Sequence, residues 1–493
     1  MRLPKIFQNT AIYMVVMVLQ KGLSFFLLPL YTSFLSPSDY GILGVVTSIS
    51  SLLSVFITMG LDAAAARFYY KKNKDADYSK RLYGTVATSI LLNAIFFGTI
   101  VILCHKLLID PIIGDISFFP YVFLGLLNVI VTPLYLLFQN YCQTIQDGKR
   151  YGINAICFII IHVSLIVLSL AVFHLGVVGV LLANIVVSVL FFIYVLFAFF
   201  KYQKVGLDKE VLKDTYSYSL PLIPHFLANW SNGTLDKLLI NGMRTEYDAG
   251  LYNLGQQYGS VMSFVANAVN QSYTPWFYEK MNHPEESLSH IRKSAEFATF
   301  ALALIGIVLS LFSKEILSVM ITNPTYDGVW KIIPFIVFAY VFQGIYFFFV
   351  NILFLNNTNV IFTITVTAVA VNIGLNLWLI PIFGYSGGAI ACMASFFTKS
   401  IMALIVSQKK NKDIRLNWPL MYGIAIAALI LSLIPSFIGI NSVLVLVLLK
   451  LAIVLVYSLI FYFMFKERIL SLIAGLHKNN SSLIFPWPKR PWQ

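Results

Sequence analysis

The chain is predicted to be an all-α polytopic membrane protein of about fourteen transmembrane helices, built as two six-helix pseudo-repeats plus two C-terminal helices. Three observations predict this. Charged residues make up only 11% of 493 and hydrophobic residues 59%, whereas a soluble domain carries about 25% charged residues. Apolar runs of about 20 residues follow one another from end to end, each able at 1.5 Å per residue to cross about 30 Å of hydrocarbon. None shows the ten-residue alternation of a barrel strand, and no loop is long enough to hold a soluble domain. Finally, short motifs recur at a near-constant offset between the two halves.

The spans begin near Ala11, Gly41, Leu82, Phe118, Ile153 and Val177 in the first half, and near Tyr218, Tyr247, Ala295, Ile332, Val360 and Tyr385 in the second; the last two begin near Trp418 and Ser442. The first apolar run, Ala11 to Leu35, is too long for the core of a cleavable signal and is expected to remain a span. The repeat is read from matched motifs. Shifted by 209, Asp39-x-Gly41 meets Asp248-x-Gly250, each expected in a short loop after the first helix of its half, and Ser54 meets Ser263. Shifted by 208, Gly176-x-x-Gly179 meets Gly384-x-x-Gly387, between the fifth and sixth helices. An even number of spans per half preserves orientation, so the repeats are parallel, related by an axis along the membrane normal.

The net charge of +13 is dealt out loop by loop. Alternate segments carry Arg2 and Lys5; Arg67 to Arg81; Lys149 and Arg150; Lys201 to Lys213; Lys280 to Lys293; Lys409 to Arg415; and the tail from Lys466 to Arg490. The opposite loops hold only Lys106, Arg244, Lys314 and Lys331. This places both termini in the cytoplasm and argues against a nucleic-acid partner. The basic tail, ending LIFPWPKRPWQ, reads either as contact with the inner membrane surface or as plain disorder. Cys104, Cys142, Cys157 and Cys392 stand singly, without metal or disulfide spacing, and read as small buried hydrophobes. There is no Walker A, HExxH, CxxC or GxSxG motif, so neither ATP hydrolysis nor another enzymatic activity is expected.

The seventh and eighth helices are not plain lipid-facing spans. His225, Asn229, Asn232 and Asp236 recur at helical spacing, as do Gln256, Ser260, Ser263, Asn267, Asn270 and Gln271. In the second helix Thr47, Ser51, Ser54 and Thr58 lead toward Asp62, and the first helix carries Lys21 near mid-span. Hydrocarbon satisfies no hydrogen bond, so these stripes must face protein or water. A water-filled cavity lined by helices one, two, seven and eight is the expected resolution. The same stripes also fit interhelical hydrogen bonding. Lys21 reads as a cation for an anionic substrate, or as half of a structural ion pair. Asp236 reads as a partner for Lys21, as a site for a proton or Na⁺, or as a tie between helix ends; its neighbour Lys237 points elsewhere. Asp62 and Arg67 also suit an interfacial role. Lys399 and Lys450 read as structural residues, able to snorkel to an interface, and His162 and His225 are expected to be packed, hydrogen-bonded histidines.

The opening KGLSFFLLPLYTSFLSPSDYGILGVVTSISSLLSVFITMGLDAAAARFYY, with Lys21, Tyr40, Gly41, Gly60, Leu61, Asp62 and Arg67, resembles the start of Wzx-type polysaccharide flippases. SLPLIPHFLANWSNGTLDKLLIN and AGLYNLGQQYG are similar to that family's Leu-Pro helix with Asp-Lys/Arg. VNIGLNLWLIPIFGYSGGAIACMAS resembles its Asn-x-x-x-Asn, Ile-Pro, Gly-x-x-Gly-Ala element, at Asn372, Asn376, Ile380, Pro381, Gly384, Gly387, Gly388 and Ala389. The resemblance covers helices one to twelve. It implies the multidrug/oligosaccharidyl-lipid/polysaccharide exporter superfamily, with two MATE-like lobes in a V: 1–205 and 206–410, then helices thirteen and fourteen in 411–466 and a basic tail in 467–493. It further implies a flippase of the bacterial cytoplasmic membrane that moves a polyprenyl-pyrophosphate-linked oligosaccharide to the outer leaflet by alternating access. Membrane lipids and a polysaccharide polymerase are then its expected partners. No cofactor is expected beyond H⁺ or Na⁺ coupling, with Asp236 as the candidate. The substrate-contacting set comprises Lys21, Asp62, Arg67, His225, Asn229, Asp236, Lys237, Gln256, Asn267, Asn270 and Gln271. Lys21, Arg67 or Lys237 would meet the pyrophosphate, although the set is less arginine-rich than in related lipid II flippases. A cation-coupled multidrug exporter is the alternative, disfavoured by a basic, amide-rich cluster. A non-transporting scaffold for a synthesis complex is the third reading.

Overall fold

A computed structural model describes residues 5–72, 75–201, 203–282, 284–356, 359–411, 413–437 and 442–478. Its long helices are α1 (Lys5–Phe26), α2 (Pro37–Lys71), α3 (Ala76–Leu103), α4 (Phe118–Thr144), α5 (Gly148–Val172), α6 (Gly176–Phe200) and α7 (Ile223–Met243). They continue as α8 (Glu246–Lys280), α9 (Pro284–Leu311), α10 (Ile333–Asn356), α11 (Asn359–Phe383), α12 (Tyr385–Lys410), α13 (Trp418–Phe437) and α14 (Val443–Lys478). Among the described residues, 11 of these are long and apolar enough to cross a membrane. The remaining three are α1, α7 and α8. The latter two carry the polar stripes, so the helices that fall short on apolarity are those expected to line the centre. The chain is an integral membrane protein.

Packing follows the two halves. In the first, α6 lies on α4, α4 on α2 and α3, and α1 on α5. In the second, α10 packs on α12, α8 and α9, and α11 packs on α12 and α7. The halves meet where α2 lies along α8 and α7, with a lesser contact between α1 and α8. The last two helices sit outside this arrangement: α13 covers α9 and α10, and α14 touches α9. Most of α14 is exposed, with Leu444, Leu448, Leu455 and Phe463 facing outward. One ion pair pins it, Lys450 Nζ to Glu315 Oε1 at 2.6 Å.

The repeat motifs fold alike. Ser36 and Thr245, also 209 apart, cap α2 and α8, accepting from the backbone N–H of Asp39 and Asp248 respectively. The two Asp-x-Gly motifs therefore lie inside the first helical turns and not in the expected loops. Gly176, the first residue of α6, and Gly384, just before α12, both take positive φ, 55° and 58°, which is why glycine stands at both positions. The helix α2 kinks at Met59 and Gly60, both at positive φ, and a Cβ on Gly60 would lie 2.6 Å from the Phe226 ring.

Three further expectations are corrected. The seventh span does not begin at Tyr218. Lys209–Ser219 forms its own short helix, and a turn at Leu220–Leu222 leads into α7, with Pro221 near the start of the turn and Pro224 near the start of α7. Asp208 caps this short helix and receives Arg81 Nη1 at 2.9 Å, while Lys204 reaches Asp77 at 2.8 Å. Secondly, Lys399 and Lys450 do not snorkel; they are 8% and 4% exposed. The four cysteines are free, as expected, but only Cys142 and Cys392 are buried; Cys104 and Cys157 are exposed. His162 is held by Asn184 at 2.6 Å, a packed histidine as its sequence context implies. The C-terminal tail beyond 478 lies outside the described residues.

Candidate functional site: the seam between α2, α7 and α8

At one end of the seam the helices touch backbone to backbone. A Cβ on Gly41 would lie 1.8 Å from the Glu246 carbonyl oxygen, and one on Gly250 would lie 1.8 Å from the Pro37 carbonyl oxygen. Pro37 and Glu246 are themselves 209 apart, so this crossing is symmetric about the pseudo-two-fold axis. Only glycine at both positions lets the helices approach this closely. Around it, Asn253 Nδ2 donates to the Tyr40 carbonyl at 3.2 Å and Tyr326 Oη to the Leu35 carbonyl at 3.0 Å. Asn241 Nδ2 on α7 donates to the Ile113 carbonyl of the other half at 2.7 Å. Leu35, Tyr40, Asn241 and Tyr326 are all buried. This end is sealed.

Toward the other end the polar stripes become accessible. On α2, Ser48 is buried, Thr47 and Ser51 are exposed, and Ser54, Thr58 and Asp62 are half-buried. Trp230 of α7 bridges to this stripe, its Nε1 donating to the Ser48 carbonyl and to Ser51 Oγ, each at 3.1 Å. On α7, His225 and Asn229 are exposed and joined at 3.0 Å. On α8, Ser260, Ser263 and Asn267 are half-buried, Asn267 Nδ2 donating to the Ser263 carbonyl at 2.8 Å, and Gln271 is exposed. Arg67, beyond the α2 kink, lies 4.2 Å over the Tyr218 ring, so its planar cation rests on an aromatic face while staying exposed.

Other members of the expected set lie off this strip. Asp236 is wholly buried within the second half, its Oδ2 accepting from Tyr252 Oη and its Oδ1 from Asn376 Nδ2, both at 2.7 Å. Asn376 also donates to Asn372 Oδ1 at 3.1 Å, and Asn376 Oδ1 is buried with no hydrogen-bond partner. Gln256 is spent on the Gly233 carbonyl at 2.7 Å, which ties α8 to α7. Asn270 Oδ1 accepts from Asn351 Nδ2 of α10 at 3.0 Å. Lys237 is half-buried and forms no ion pair among the described residues. The side chain of Lys21 lies outside the described residues.

The stripe on α7 thus divides. His225 and Asn229 reach the accessible strip, while Asp236, three turns beyond His225 on the same face, meets α8 and α11; Asn232, between them, is buried with its Nδ2 unpartnered. Helical periodicity gives the face but not what stands opposite it at each level. Sequence reasoning missed Trp230, whose indole reads as an ordinary apolar residue at the membrane, and left Asn372 and Asn376 outside the candidate set. Their spacing of four on one helix face was the available signal.

Comparison with known proteins agrees with this architecture. A solved lipid II flippase MurJ in an inward closed conformation superposes with a TM-score of 0.69 at 12% identity, covering 92% of this chain and 99% of that one. An inward-facing multidrug resistance MATE family transporter gives a TM-score of 0.59 at 15% identity, over 82% of this chain and 98% of the other. Among curated proteins, one named for the Lsg locus of Haemophilus influenzae is 23% identical over 334 residues, 64% of this chain and 76% of that protein. An uncharacterised membrane protein of the same organism is 22% identical over 297 residues, 58% and 68% of the two chains. A family model described as polysaccharide biosynthesis protein matches residues 6–281, more than half of the sequence. The chain belongs to the polysaccharide biosynthesis protein family.

Proposed function

We propose that the protein is a flippase that carries a polyprenyl-diphosphate-linked oligosaccharide across the bacterial cytoplasmic membrane by alternating access. The observation that carries this reading is the seam: polar along its length, sealed at one end by the Gly41–Gly250 crossing, and accessible toward the other. The lysine and arginine distribution assigns the sealed end to the outside and both termini to the cytoplasm, so the strip opens inward. Hydroxyls and amides of α2, α7 and α8 suit a saccharide, Arg67 suits the diphosphate at the inner end, and the polyprenyl chain stays in lipid. Asp62, His225, Asn229, Asn267 and Gln271 belong to this path; Lys21 and Lys237 are further cations for it.

Transport against a gradient needs a coupling ion. Asp236, Asn372 and Asn376 gather carboxylate and amide oxygens in a buried cluster, one of them without a donor, and this donor set suits a proton or Na⁺. Assembly with a polysaccharide polymerase belongs to the same reading.

The test is a gene deletion followed by extraction of lipid-linked saccharides from inverted and right-side-out vesicles. The repeat unit is expected to build up on the cytoplasmic face and to be relieved by the wild-type gene. Sensitivity to cationic drugs, with no accumulated lipid-linked sugar, would replace this reading with multidrug export.

A further inference from the structure

Trp230 is held in the middle of the seam by the opposite half. Its Nε1 donates to the Ser48 carbonyl and to Ser51 Oγ of α2, each at 3.1 Å. Ser48 lies 11 residues inside α2, about 16 Å from the sealed end at 1.5 Å per residue. That depth is away from the interfacial belts where membrane tryptophans gather. Nor does the repeat call for a ring here, since the residue 209 positions earlier is Lys21. The indole edge is thus fixed while the side chain stays half-buried, and among the described residues no second aromatic ring stacks on it. Space lies beside it. Gly233, one turn further along α7 on the same side, is exposed, and an added Cβ there would meet nothing within 4 Å. The Gly233 carbonyl accepts from Gln256 Nε2 at 2.7 Å, so the backbone under this space is tied to α8. On α2, Thr47 and Ser51 are exposed; their hydroxyls donate to carbonyls of their own helix, which leaves oxygen lone pairs for a donor from outside the protein. A pyranose ring has C–H bonds on its faces and hydroxyl donors around its edge. A fixed aromatic face, an open niche and nearby hydroxyl acceptors complement both.

We propose that Trp230 is a saccharide platform: its indole takes the C–H face of a pyranose of the translocated lipid, seated in the space over Gly233. This rests on the flippase reading and adds to it the residue that tells a glycosylated lipid from a sugarless one. Because α2 holds the indole edge while α7 carries the ring, the platform is built from both halves and is set only while these two helices keep their spacing.

The experiment uses the full chain in phosphatidylcholine nanodiscs. Its probes are the lipid-linked repeat unit purified from the deletion strain and polyprenyl diphosphate without sugar. Wild type is expected to bind the glycosylated lipid about tenfold more tightly than the sugarless one, the effect of one well-packed aromatic anchor. Trp230→Leu removes the ring, and Gly233→Leu fills the space beside it. Both are expected to erase that preference and to bind the sugarless lipid as wild type does. Trp230→Phe keeps a ring without the N–H and is expected to keep most of the preference. The melting temperature of Gly233→Leu is expected not to fall below wild type, because the site is open and leucine is the better helix former, so this variant decides the matter even where Trp230→Leu folds poorly. A preference preserved in Gly233→Leu, or an equal loss for the two lipids, overturns the proposal. So does a Trp230→Phe that behaves as Trp230→Leu, which would make the N–H tie between helices, and not the ring, the contribution of this residue. Translocation by a wild type that binds both lipids equally removes the platform alone, whereas no translocation by wild type removes the flippase reading itself.

Discussion

Replacing Gly41 with alanine tests the sealed end of the seam. The added Cβ would stand 1.8 Å from the Glu246 carbonyl oxygen, a backbone atom that no rotamer change can remove. An ordinary carbon–oxygen contact is about 3.4 Å, so α2 and α8 must part by roughly 1.5 Å or the backbone must deform. Overpacking of this kind costs about 1–3 kcal/mol. If the crossing exists only when this end is closed, the whole cost falls on the closed state. A tenfold change in an equilibrium is about 1.4 kcal/mol, so opening is favoured by about 5- to 150-fold. Alanine's gain in helix propensity, about 1 kcal/mol, is common to both states and cancels. Gly250→Ala should act alike through the Pro37 carbonyl. The double substitution should cost less than the sum, since one separation of the helices relieves both clashes. Gly374, where an added Cβ would meet nothing within 4 Å, is the control. The assay is electron–electron double resonance in a cysteine-free background, with spin labels at Lys106 and Lys314, exposed residues on the two halves. Wild type should give one distance population; Gly41→Ala and Gly250→Ala should add a longer one, and Gly374→Ala should not. Wild-type distributions in both seam variants would refute the view that this crossing is the seal.

Three further outcomes are expected. Asp236→Leu leaves Tyr252 and Asn376 without their acceptor, at about 1–3 kcal/mol for each stranded donor; a large fall in melting temperature is expected, while Asp236→Asn keeps the fold and loses any Na⁺-dependent rise in that temperature. Lys450→Met should destabilise by about 2–3 kcal/mol in thermal unfolding, less than the 3–5 kcal/mol of a fully buried broken pair, because the Glu315 side chain is 35% exposed. Asp208 is held below its ordinary carboxylate value of 3.8, first by the Val211 N–H and then by Arg81. A depressed native value gives stability that is complete above pH 3.8 and lost as pH falls through the native value. Hydrogen exchange in Lys209–Ser219 should therefore be unchanged from pH 7 to pH 5 and accelerate selectively, after correction for intrinsic rates, only below about pH 4.

Much of this was legible in the residues. Hydrocarbon demands long apolar helices and rejects unpaired polar groups, so composition and run length by themselves determined the class, the approximate helix starts and the identity of the unusual pair, α7 and α8. The offset of 209 also reached further than expected: it relates Gly41 to Gly250 in sequence, and in space these residues meet. What the sequence could not decide was the partner of each polar side chain. His225 and Asp236 share one helix face, yet one lies on the accessible strip and the other in a closed network with Tyr252 and Asn376, residues 16 and 140 positions away. Lys399 and Lys450 look alike as lone lysines in apolar helices, and only the fold sets Glu315 beside one of them and a tyrosine ring beside the other. Periodicity is a property of one helix and is written locally. Satisfaction of a buried donor or charge depends on which helices are neighbours at that depth, and that is settled only when the two halves pack.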